Sequence, residues 1–189
     1  MLQISRPALG ALAVITTLSL PAAAHGQATA TSVTLTAGTL SFSVVPQADP
    51  FPSTTLNGRA QTLRTGFHTW GVDDARGSGA GWNVTMRATP MDDGLGHTWP
   101  SGSLQLSAPA TVLPVGVNAA IPPLAQGATF TLDGAQPVKV LSAAAAAGQG
   151  DWTLTQANLL GGDLVLTVPA NALAGTYTTT ITSTLATGP

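Results

Sequence analysis

The densest group of ionisable residues in the chain is Asp73-Asp74-Ala75-Arg76, which runs straight into Gly77-Ser78-Gly79-Ala80-Gly81-Trp82. Carboxylates beside a guanidinium at a glycine-rich turn do one of two things. An aspartate caps or braces the turn and pairs with the arginine, or the group offers polar contacts to a glycan or a peptide. We read Asp74, Arg76, Gly77 and Gly81 as a structural turn. Asp92-Asp93-Gly94 would suggest calcium, but the spaced oxygen ligands and acidic closing residue of an EF-hand loop do not follow it. Hydrolytic chemistry has little to work with: there is no Gly-x-Ser-x-Gly elbow and no His-Glu-x-x-His helix. All eight acidic residues are aspartates, so a carboxylate pair would have to be two of these. Cysteine is absent, which removes thiolate nucleophiles, thiolate metal sites and disulfides. The expectation is no catalysis, no metal and no cofactor.

Aromatic residues offer a different chemistry, contact with a polymer or a partner. Trp82 and Trp152 sit on the apolar parity of alternating runs, where an indole usually buries its ring and gives its N–H an acceptor. Trp99 stands in "DDGLGHTWPSG" (92–102), which reads as an exposed loop. There the ring would stack on a sugar face, contact another protein, or pack the loop onto the domain.

The elements that must position these residues are strands. With no glutamate and a single lysine, Lys139, the chain has almost no material for surface helices, while threonine, valine, glycine and proline favour strands and turns. Short alternating runs recur at 31–36, 39–44, 65–72, 81–88, 103–108, 128–132, 137–143, 151–157, 163–168 and 175–185. In "GWNVTMRA" Trp82, Val84, Met86 and Ala88 share one face; in "GTYTTTITSTL" Tyr177, Ile181 and Leu185 face one way and the threonines the other. Ser183 breaks that apolar parity. Stretches 45–60 and 90–127 read as long loops, the first of them blocked by Pro46, Pro50 and Pro52. This predicts an all-β sandwich of nine or ten mainly antiparallel short strands.

The N-terminus reads as a secretory signal: Arg6, the apolar run "ALGALAVITTLSL", then the small residues of "PAAAHGQATA". Ala24 and Ala30 are alternative cleavage positions, giving a signal of 1–24 or 1–30 and a single domain of 25–189 or 31–189. The apolar run is shorter than the ~20 residues needed to span a bilayer, and no second span follows. The domain is therefore expected outside the cell. With five of the six cations after the signal against eight aspartates, no basic stripe exists for nucleic acid or an anionic membrane surface.

Three segments together, "VDDARGSGAGWNVTM" (72–86), "VLSAAAAAGQGDWTLTQA" (140–157) and "LTVPANALAGTYTTTITSTLATGP" (166–189), resemble the WxL surface domain of Gram-positive bacteria. The resemblance implies a secreted β-rich module that attaches non-covalently to peptidoglycan in the cell wall. It places the family's two Trp-x-Leu motifs on Trp82-Asn83-Val84 and on Ser183-Thr184-Leu185, with valine for leucine in the first and serine for tryptophan in the second. The binding candidates are then Trp82, Val84, Tyr177, Ser183 and Leu185, joined by Trp99. The missing indole at 183 calls for another residue to fill its volume, Trp70 or Trp152, or for an open surface. Two other readings stand beside this one. A threonine-rich sandwich with few charges on its edges could assemble with itself or with other surface proteins. Cleavage after Ala24 would expose His25, whose amine and ring chelate copper, resembling the start of lytic polysaccharide monooxygenases, with His68 or His97 as a second ligand.

Overall fold

The computed structural model describes residues 30–156 and 162–189. The expected signal peptide lies outside the described residues except for Ala30, and so does His25. Residues 36–189 form one compact unit. Residues 30–35 belong to a separate N-terminal unit and have no regular structure; the strand expected at 31–36 is not formed. Val33 and Leu35 are exposed there and take part in no ladder, and alternation without a partner strand does not make a strand.

The compact unit is all-β, as its composition requires. In chain order the strands are β1 (Leu40–Val44), β2 (Gln61–Thr65), β3 (Trp70–Asp74), β4 (Trp82–Ala88), β5 (Leu104–Ser107) and β6 (Pro109–Pro114). The second half supplies β7 (Leu124–Ala125), β8 (Thr129–Thr131), β9 (Val138–Ala143), β10 (Gly150–Gln156), β11 (Leu164–Val168) and β12 (Ile181–Thr187). They form three four-stranded sheets, β1-β3-β10-β6, β2-β11-β5-β8 and β12-β4-β9-β7, in which neighbouring strands run antiparallel. Among the described residues no helix is long and apolar enough to cross a membrane.

Alternation in the sequence becomes burial in the structure. Trp82, Val84, Met86 and Ala88 of β4 are buried, Arg87 is exposed, and Asn83 and Thr85 lie between. Leu104 and Leu106, Trp152 and Leu154, and Leu164, Leu166 and Val168 extend the same core. β9 departs from the pattern: the register slips between Val84 and Thr85, leaving Val140 as an extra residue opposite β4. That bulge turns Val140 and Leu141 inward together.

Three strands were not expected. β2, "QTLRT", has only one apolar residue to mark it, β7 is two residues long, and β6 carries a proline at each end. β6 is an edge strand, where a missing N–H is tolerated. Val115 N–H donates to Asp151 O, so alternation along the antiparallel pair turns the backbone of Pro114 away from β10 and costs no ladder bond.

The C-terminal run is shorter than its sequence pattern. β12 starts at Ile181, and residues 175–180 touch the domain through separate bridges: Asp92 with Thr178, and Thr89 with Thr180. Extending the β4–β12 register would bring Met91 opposite Thr178, but Asp92 meets Thr178 instead, so the chain after β4 carries one extra residue, a bulge around Pro90. The ladder breaks there, and the chain between Pro169 and Thr180 is free to form a wall rather than a strand.

Candidate functional site

Two structures deserve a chemical reading, the glycine-rich turn and a groove beside β12. At the turn, Arg76 is spent. Its Nε and Nη2 donate to the two carboxylate oxygens of Asp74 at 2.7 and 2.9 Å, Nη2 also donates to Gly81 O, and Nη1 to Thr187 Oγ1. The Asp74 side chain is 1% exposed, and the hydrogen bonds from Arg76 hold its carboxyl below the usual carboxylate range. Asp73, one residue away, goes the other way: burial and the nearby Asp151 and Asp74 charges raise it. The turn thereby ties the start of β4 to the end of β12.

The same turn seats Trp82. Its Nε1 donates to Gly148 O at 2.9 Å and its ring has no exposed surface. Gly81 (φ 71°) permits the approach, since a Cβ there would stand 2.5 Å from Ala143 O. The alanine tract closes over the turn as Ala146 N–H donates to Gly79 O, with Ala146 itself left-handed at φ 62°. Val84 is equally buried. Trp82 and Val84 therefore have no surface with which to touch a polymer, and they act on binding only through the frame they hold.

Ser183 and Leu185 are half-buried on β12, directly across from the buried Met86 and Val84 of β4. Trp70 and Trp152 both belong to the β1-β3-β10-β6 sheet, Trp70 meeting Phe42 edge-on at 6.3 Å and Trp152 donating to Gln149 O. The group facing Ser183 in the ladder is Met86, an adaptable, unbranched side chain.

Tyr177 and Trp99, 78 residues apart in sequence, come together: their ring centroids are 4.7 Å apart with planes tilted by 40°.

 Loop 92–99 brings Trp99 there. Asp93 accepts from the N–H groups of Leu95 and His97 and pairs with His97 Nδ1 at 2.6 Å, Asp92 bridges Thr178, and Trp99 N–H donates to Met91 O. Burial works upward on the Asp93 carboxyl, but the His97 and backbone hydrogen bonds outweigh it and hold it low. The loop tip, Gly94–Thr98, is exposed as expected, but Trp99 itself is half-buried against Tyr177, and its Nε1 has no acceptor. Tyr177 Oη donates to Leu173 O.

This aromatic pair lines a groove of about 1170 Å³. One wall is the proline-rich segment 46–56, the other is 172–181, and Leu164 and Leu166 of β11 lie between them, with Phe51 and Phe67 adding two more rings. Among the described residues that line it, only Asp49 and Tyr177 are ionisable; none is Lys, Arg or His. Asp49 is paired with His68 Nε2 at 2.8 Å. Sequence reasoning read the 46–56 wall as a connection and most of the 172–181 wall as the start of a strand, and the available signal was the spacing of Pro46, Pro50 and Pro52 around Phe51. Among the described residues no three potential metal ligands cluster.

A sequence model of one protein family, described as WxL domain surface cell wall-binding, matches residues 29–189. No curated protein and no solved structure matches the chain. The matched span contains every strand, the braced turn and both walls of the groove. The chain belongs to the WxL family of surface cell wall-binding domains, and its place is the extracellular surface or the cell wall.

Proposed function

We propose that the chain, freed of a signal peptide of 1–24 or 1–30, is a non-catalytic domain that holds to peptidoglycan without a covalent bond, using the groove as its contact surface. The observation that carries this reading is the Trp99–Tyr177 pair at the wall of a large groove in a domain of a wall-binding family. Half-buried aromatic rings suit contact with the apolar faces of a polymer. The non-catalytic reading is supported by the family, which is described by wall binding. Because no cation lines the groove among the described residues, attachment should not depend on ionic attraction. Co-sedimentation with purified sacculi tests the reading: the folded domain is expected to pellet with them before and after a tenfold rise in salt, and a domain that stays in the supernatant contradicts it.

A second reading, assembly with itself or with another surface protein, has its own observation. Leu113, Val115, Val117, Ile121 and Leu124 are all more than half exposed, in a stretch from Gly94 to Leu132 that holds no Asp, Glu, Lys or Arg. Sedimentation velocity without wall present separates the two: concentration-dependent oligomers support assembly, and a constant monomer opposes self-assembly.

A further inference from the structure

We infer that the groove receives the neutral, N-acetylated glycan backbone of the wall rather than its peptide stems or an anionic phosphate polymer. This rests on the reading that the domain binds wall polymer, and three features of the groove narrow the ligand. The first is charge. A stem peptide brings carboxylates and a phosphate polymer brings phosphates, and burying either without a cationic partner is costly. Among the described residues the groove has none: Leu63 of β2 lines it, so its neighbour Arg64 points to the opposite face of the strand, and Arg76 is held by Asp74. A glycan backbone carries no charge to compensate.

The second feature is the pairing of rings with free hydroxyls. Phe51, Trp99 and Tyr177, each half-buried, present apolar surface above the buried Phe67, which suits the C–H faces of a pyranose. Ser53, Thr55 and Thr176 line the same groove, and among the described residues their side-chain hydroxyls make no hydrogen bond within the protein. Each is both donor and acceptor, as sugar hydroxyls and acetamide groups require. The third feature is size. At about 1170 Å³ the groove exceeds the upper end of ordinary small-ligand pockets, ~1,000 Å³, so an extended chain of several sugars fits it better than a single one.

The test is isothermal titration calorimetry of the exported domain with three probes: N-acetylglucosamine oligomers, a synthetic stem pentapeptide and poly(glycerol phosphate). The expected result is saturable binding of the oligomers, tightening with chain length and unchanged by salt, with neither other probe binding. Tyr177→Ala and Thr176→Val are expected to weaken oligomer binding about tenfold or more while circular dichroism stays native; Thr176→Val removes a hydroxyl from an exposed position and spares the core. Binding of the pentapeptide, or salt-sensitive binding of the phosphate polymer, overturns the inference. So does sacculus binding without any oligomer binding, which leaves the wall-binding reading standing. Loss of sacculus binding as well overturns both.

Discussion

At the scale of single residues, two tryptophans on opposite sides of the hydrogen-bond ledger make opposite predictions. Trp82 is fully buried and its N–H is satisfied by Gly148 O. Trp82→Phe should cost about 1–3 kcal/mol by leaving that carbonyl unpaired, and Trp82→Ala about 3–5 kcal/mol. Trp99 Nε1 has no acceptor, so Trp99→Phe should cost well under either; urea denaturation of the three variants checks the order. Arg76→Ala strands the buried Asp74 carboxylate and should cost about 3 kcal/mol near neutral pH. Asp74 has a folded pKa below its ordinary 3.8. Its contribution is therefore present above that ordinary value and is lost as pH falls through the folded one. Thermal denaturation against pH should show the penalty of Arg76→Ala shrinking in acid; a penalty constant with pH would show that the ion pair is not its source.

At the scale of elements, edge and ladder rules decide where strands stop. Ser183 lies on β12, an edge strand, half-buried across from Met86. Ser183→Trp should raise the unfolding midpoint by burying an indole at that open position; a lower midpoint would mean Met86 and its neighbours already fill the space. The buried face of β4 was legible because four apolar residues alternate without interruption, and the Asp74–Arg76 turn because its residues are adjacent in sequence. β2 and β6 were not, since "QTLRT" and "PATVLP" gain their strand state from tertiary pairing rather than from pattern. The one-residue slip between Thr89 and Asp92 likewise cuts the 175–185 run through a partner strand, an effect invisible in that run itself.

At the scale of the whole molecule, three sheets with an apolar interior and few charges carry the fold, and the groove lies where the 46–56 and 172–181 segments stand over β11. The groove was the least legible feature, because its walls come from segments far apart in sequence and its rings from four separate places. The family, by contrast, was legible from local segments around Trp82, Trp152 and Tyr177. The most direct measurement of the central claim is hydrogen–deuterium exchange of the domain with and without solubilised peptidoglycan fragments. The account predicts slowed exchange in residues 46–56 and 172–181. Slowed exchange confined to 109–125, or none anywhere at saturating fragment, would contradict it.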